Sequence, residues 1–106
     1  MSKSIMHNKQ DGTCYLCMLL NHDYDRRYNL EEHHAIEGNP GRKLSEHYGL
    51  KVYLCMEHHR TSKEAVHKNG ENRRKLERAA QLAFEKKYSH EIWMEVFGRN
   101  ITHYNT

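Results

Sequence analysis

Three cysteines and one histidine stand in a pattern that suits a metal ion. Cys14 and Cys17 form Cys-x-x-Cys, Cys55 and His58 form Cys-x-x-His, and 37 residues separate the two pairs. A two-residue spacing lets one tight turn present both members of a pair to a single tetrahedral ion. Thiolates together with a neutral imidazole match the borderline softness of zinc. Four protein ligands leave no position for water, so the chemistry expected of Cys14, Cys17, Cys55 and His58 is structural rather than catalytic. Two plainer readings stay open from the residues alone: Cys14 and Cys17 as a redox pair, or all three cysteines as buried apolar side chains. Neither accounts for the matched spacing of Cys55 and His58.

The chain carries ten histidines, and setting His58 aside leaves nine. His33 and His34 are adjacent, His59 follows the last zinc ligand directly, and His67 lies eight residues beyond it. An ion that ties Cys55 and His58 to the knuckle at Cys14 and Cys17 also brings the segment carrying His59 towards the segment carrying His33. Imidazoles that converge can hold a second cation or move a proton near neutral pH. His7, His22, His47, His90 and His103 are expected at the surface or in loops.

The elements that must position these groups are short. Residues 1–10 are polar and without period, and are expected to be flexible. Residues 11–106 are expected to form one domain. Residues 29–36 and 50–54 read as extended segments flanking a loop, 37–49, that holds Gly38, Gly41, Gly49 and the only proline, Pro40. Residues 56–68 contain no Gly or Pro, and Asn69-Gly70 follows them as a stop, which predicts a short helix. Over 72–87 the apolar positions Leu76, Ala79, Ala80, Ala83 and Phe84 keep the spacing of an amphipathic helix. Ser89 caps a further helical stretch with Ile92, Trp93, Val96 and Phe97, closed by Gly98, and these side chains are expected in the core.

Composition says why a metal is needed. The chain has 106 residues, 37% of them hydrophobic and 29% charged, with a mean hydropathy of −1.05. A core that small benefits from a staple. No apolar run reaches membrane-spanning length and residues 1–10 lack the apolar stretch of a secretion signal, so a cytoplasmic protein with no membrane partner is expected. The formal charge of +3 is compatible with a nucleic-acid partner without specifying one.

Taken together, Cys14-x-x-Cys17, Glu32-His33-His34-Ala35-Ile36 and Tyr53-Leu54-Cys55-x-x-His58-His59 span roughly half the chain. The combination resembles the HNH, or ββα-metal, endonucleases, in the version whose hairpin and helix are pinned by a structural zinc. More narrowly, the run from Glu32-His33-His34 through Gly41-Arg-Lys-Leu-Ser-Glu46 to Tyr53-Leu54-Cys55 looks like small phage and prophage HNH-like proteins. The resemblance implies an α+β fold, with a zinc-stabilised ββα-metal core over 11–70 and added C-terminal helices over 71–106. It implies a metal-dependent endonuclease that hydrolyses phosphodiester bonds of duplex or branched DNA in phage recombination, processing or packaging, within the host cytoplasm.

Carried over by position, His33 is a ligand of a divalent cation, His34 the general base that activates water, and His59 a second ligand. His67 is a third if the helix bends or ends before it, since eight residues turn a side chain about 80° away from His59 on a continuous helix. Magnesium or manganese is the implied working ion, although an all-imidazole shell also suits nickel or zinc. Arg42 or Lys43 would meet the scissile phosphate. Arg60, Lys63, Arg73 and Arg74, with Arg26, Arg27, Lys75 and Arg78, would meet the DNA backbone. For residues 73–78 the solvated face of a helix, with Glu71, Glu77 and Glu85 as partners, is an equal alternative. Glu31, Glu32 and Glu46 are candidate partners for the imidazoles.

Two departures from the family pattern stand out. The residue that orients the base falls near Leu50, where no counterpart exists; Asn39 or Ser45 in the loop is the candidate substitute. Neighbours on a regular strand point to opposite faces, so a bulge or strand end is expected at His33 and His34 if both serve one site. The competing reading is a catalytically inactive zinc-stabilised module that binds DNA or protein; a redox or metal-sensing protein is a third. Oligomeric state is not legible.

Overall fold

Cys14 opens the first helix by capping it, its Sγ accepting the Cys17 N–H at 3.4 Å. This helix, α1 (Tyr15–Asn21), is followed by β1 (Glu31–His34), α2 (Gly41–Tyr48), β2 (Lys51–Leu54), a π-helical turn (Glu57–Thr61), α3 (Gly70–Lys87) and α4 (His90–Phe97), after a 3-10 turn at Lys9–Asp11. A computed structural model describes residues 3–102. The fold is a small α+β arrangement with one two-stranded antiparallel sheet.

The strands pair Glu31 with Leu54, Glu32 with Tyr53, His33 with Val52 and His34 with Lys51. Side chains alternate across such a ladder, so Glu31, His33, Val52 and Leu54 share one face, and Glu32, His34, Lys51 and Tyr53 the other. The first face meets a core of Leu16, Val66 and Leu76 with the three cysteines. A second core gathers Ala35, Ile36, Leu50, Ala80, Phe84, Trp93 and Ile101. There Trp93 stacks on Phe97 at 4.0 Å and meets Phe84 edge-on at 5.4 Å, contacts worth roughly 0.5–1.5 kcal/mol each beyond area burial. Ser89 caps α4 and Gly98 closes it, and Leu76, Ala80 and Phe84 are the buried stripe of α3. Ile92, expected in the core, is exposed.

Three expectations are corrected. The segment 37–49 is not an open loop: its residues 41–48 form α2, closed by Gly49 at φ 73°. A side chain at Gly49 would also place its Cβ 2.3 Å from the Lys3 carbonyl oxygen, so both conformation and space demand glycine. Residues 4–7 are bonded rather than loose. Ser4 Oγ donates to the Lys51 carbonyl, the Ile5 N–H donates to the Gly49 carbonyl at 2.9 Å, and the Tyr53 N–H donates to His7 Nδ1 at 3.0 Å. His7 is therefore buried against β2 and not a surface residue.

The third correction lies after β2. The single helix expected over 56–68 is replaced by the π-helical turn, ended at Ser62 in extended backbone (φ −90°, ψ 166°), with further turns to Lys68. Ser62 causes the break by using its hydroxyl locally: Oγ donates to the Glu57 carbonyl at 2.8 Å and accepts the Glu64 N–H at 3.1 Å. The chain then folds back, the Val66 N–H donating to the His58 carbonyl at 2.8 Å.

Candidate metal centres

Cys14 and Cys17, at the start of α1, meet Cys55 and His58, at the end of β2 and in the turn after it, and all four are buried. His58 Nδ1 lies 3.6, 3.4 and 3.5 Å from Sγ of Cys14, Cys17 and Cys55, and the Cys17 and Cys55 sulfurs are 3.9 Å apart. A tetrahedral zinc with ordinary bond lengths sets its sulfur–nitrogen edges at about 3.6 Å and its sulfur–sulfur edges at about 3.8 Å. The donors thus already stand at the separations a single ion requires, and none of the cysteines forms a disulfide.

Electrostatics agree. Burial, then the neighbouring Cys14 and Cys55, pushes the Cys17 thiol far above its usual range, and burial likewise raises Cys55. Three thiolates this close need a cation to exist. Three thiolates and a dication leave one net negative charge. Arg27 pairs with Asp23 through Nη2, and the nearby Cys17 foremost, then Asp23, holds its guanidinium above the ordinary value, while its Nε is buried without a hydrogen-bond partner. This Cys3His group can hold a metal such as zinc.

The second cluster joins His33 of β1, His59 of the π-helical turn and His67 beyond it, the first two buried and the third exposed. Ring centroids are 5.3 Å apart for His33 with each partner and 4.8 Å for His59 with His67. Glu31 Oε1 accepts a hydrogen bond from His59 Nδ1–H at 2.6 Å, which in the neutral ring leaves the His59 Nε2 lone pair facing His67 Nε2 at 3.1 Å. Two imidazole nitrogens on one ion stand about 3.0–3.4 Å apart. His33 Nε2 is buried without a partner, 3.6 Å from a Glu37 oxygen that is equally orphaned. Burial first, and then His59 and His67, hold His33 down at about 3, so its ring is neutral at physiological pH. An orphaned neutral nitrogen beside two others is a donor set that fits a cation. His67 reaches the set because the helix ends at Ser62, the condition its spacing imposed.

His34 sits on the other face of β1. Its Nε2 donates to Glu46 Oε1 at 2.9 Å and is 4.0 Å from Glu32, while the Lys51 ammonium lies 3.1 Å from Glu46 Oε2 and 3.3 Å from Glu32 Oε2. No bulge separates His33 from His34: the ladder is regular to His34, where β1 ends, and the Ala35 N–H still donates to the Leu50 carbonyl at 2.8 Å. The two histidines nevertheless border one cavity of about 380 Å³, together with Glu32, Glu37, Gly38, Arg42, His59, Arg60 and His67.

Of the expected backbone-binding cations, Arg42 and Arg60 border this cavity, and Arg60 Nε also donates to Glu31 at 3.0 Å. Lys43, Lys63 and Arg74 are exposed outside its lining, and Arg73 Nη1 donates to the Val66 carbonyl at 3.1 Å. Lys75 pairs with Glu71 at 3.3 Å, as the solvated-face alternative for that helix expects. Ser45 does not orient His34; its hydroxyl bridges the Ile36 N–H and carbonyl. His22 and His90 are exposed, His47 is exposed and stacked edge-on against Tyr48, and His103 lies outside the described residues. Lys51 and Glu37 went unread in the sequence. Pairing the two extended segments would have set Lys51 opposite His34, and Glu37 is four residues from His33.

No protein-family model matches the chain, and neither a curated protein nor a solved structure does. Among the described residues no helix is long and apolar enough to cross a membrane.

Proposed function

We propose that the protein is a metal-dependent endonuclease of the HNH type, built on a ββα-metal core that a structural zinc holds together. The observation that carries this reading is the cavity shared by His33, His59 and His67 on one side and His34 and Arg42 on the other. Three imidazoles supply a partial coordination shell that opens to solvent at His67, and an open shell is the mark of a catalytic rather than a structural site. In this reading β1, β2 and the π-helical turn stand for the two strands and the helix of the family's core, with α2 inserted between the strands.

In this reading His33, His59 and His67 hold magnesium or manganese, with nickel or zinc also accommodated by nitrogen donors. Such an ion, when bound, supplies Lewis acidity to a phosphodiester and to its departing 3′ oxygen. Glu31 fixes His59 in the tautomer that keeps Nε2 free. His34 accepts a proton from the attacking water, a role that suits an imidazole at neutral pH. Arg42 brings positive charge to the scissile phosphate as negative charge grows on it. The substrate is DNA, duplex or branched, contacted through the phosphates by Arg42, Arg60 and the exposed Lys43, Lys63 and Arg74, with Arg73 nearby. A DNA-processing step in phage recombination or packaging, in the cytoplasm of a host cell, suits such an enzyme.

The test is incubation of the purified protein with supercoiled plasmid and each divalent ion. Nicking is expected with magnesium or manganese. His34→Ala should lower it by roughly 10²–10⁴-fold while circular dichroism and zinc content stay as in the wild type. A wild type inert with every ion and with linear, branched and single-stranded substrates overturns the reading in favour of a zinc-stabilised DNA- or protein-binding module.

A further inference from the structure

The group of Glu32, His34 and Glu46 on the far face of the sheet has the composition of a third cation site, but its cation is already present. Lys51 is 2% exposed and sets its ammonium within 3.1 Å of Glu46 and 3.3 Å of Glu32. A metal would have to displace a buried ammonium that these two carboxylates already pair. The group is therefore better read as a polar network organised around the imidazole.

We infer that Glu46 is the positioning residue for His34, selecting the tautomer in which Nε2 carries the proton and Nδ1 the basic lone pair, with Lys51 holding the carboxylate in place. This rests on the endonuclease reading for its consequence, though not for its geometry. A carboxylate can only accept, so the 2.9 Å contact from His34 Nε2 to Glu46 Oε1 puts a proton on Nε2. A neutral imidazole has one proton, which leaves Nδ1 free to take another. The placement follows from the chain: β1 ends at His34, α2 carries Glu46 back over it, and β2 begins with Lys51 directly opposite His34. One strand–helix–strand unit thus supplies the base, its orienting acid and the cation that anchors the acid. It also supplies what the expected position near Leu50 lacks. His34 and Lys51 keep Glu46 ionised, its carboxyl held at about 2 by these two hydrogen bonds.

The experiment compares wild type, Glu46→Ala and Glu46→Gln by nitrogen-15 NMR of the His34 ring and by cleavage of supercoiled plasmid with manganese. Glu46 lies on the partly exposed side of α2, and the glutamine variant retains a carbonyl acceptor, so a folded comparison is secured. In the wild type the neutral His34 ring should be the Nε2–H tautomer. Glu46→Ala should shift it towards a mixture and lower kcat by about 10- to 100-fold with KM changed less than about twofold. Glu46→Gln should restore the tautomer and most of the rate. An unchanged ring tautomer in Glu46→Ala overturns the inference, as does an unchanged kcat beside an active wild type. If the wild type cleaves nothing, the endonuclease reading fails separately and the ring spectrum still decides the positioning.

Discussion

The two His-containing clusters of this chain share donor types and differ in burial and openness. The Cys14, Cys17, Cys55 and His58 group is buried at all four positions and joins α1 to the end of β2. The His33, His59 and His67 group has three donors, one of them exposed, and borders a cavity lined by Glu32 and Glu37 as well as Arg42 and Arg60. A closed shell spends all of its coordination on the fold, whereas an open one keeps a position for a reactant. They are also serially dependent. The turn that carries His59 and leads to His67 begins just after Cys55 and contains His58, so on the proposed reading an ion in the closed centre would position the open one.

That dependence predicts the largest effect. Cys17→Ser should abolish zinc retention and cooperative thermal unfolding together. Structural zinc contributes on the order of 10 kcal/mol in small domains, comparable to the whole stability of a chain this size. Circular dichroism melts and metal analysis would measure it. A variant that melts at the wild-type temperature without zinc would show that the closed centre does not hold the fold.

Breaking the open centre should be local. His33→Ala is expected to weaken manganese binding at least about 100-fold and remove cleavage, while leaving zinc content unchanged, because the lost nitrogen has no partner to orphan. Isothermal titration and plasmid nicking read both. Loss of zinc in His33→Ala would erase the distinction between the centres. One layer further out, Glu31→Gln removes the charge that fixes His59 and should cost about tenfold in manganese affinity. An unchanged titration would mean that Glu31 serves Arg60 alone.

The closed centre was legible in the sequence because its ligands come in pairs at a fixed short spacing, which tolerates any path between them. The open one was legible only by type. His33 and His59 follow from adjacency to a strand and to the zinc pair, but His67 depends on where a helix stops, and Ser62 carries that information through a hydroxyl bond that competes with continued helix. Helix α2 escaped because its glycines and its proline, which occupy ends and entry, read as loop punctuation. The docked segment at residues 4–7 escaped because its bonds go to residues more than forty positions away. Gln81, fully buried, is similar: it accepts the Ile101 N–H at 2.7 Å and ties the chain after α4 to α3, a contact no local pattern announces.

His7 sharpens the comparison as a buried imidazole outside both clusters. Both of its nitrogens have protein partners: Nδ1 accepts from Tyr53 N–H at 3.0 Å and Nε2 donates to Thr13 Oγ1 at 3.3 Å. Burial, partly offset by Asp11, lowers its pKa below the ordinary 6.5. A lowered folded-state value means that its contribution to stability is complete above pH 6.5 and is lost progressively as the pH falls below it. His7→Gln keeps an acceptor and removes the titration. The wild type should exceed this variant by up to about 1 kcal/mol near pH 7.5, and by less near pH 5.5. Urea midpoints at the two pH values, with and without added manganese, give the answer. The narrowing should be the same in both metal conditions. A gap independent of pH would mean that His7 titrates alike in the folded and unfolded chain, and a gap that follows manganese would place it among the ligands.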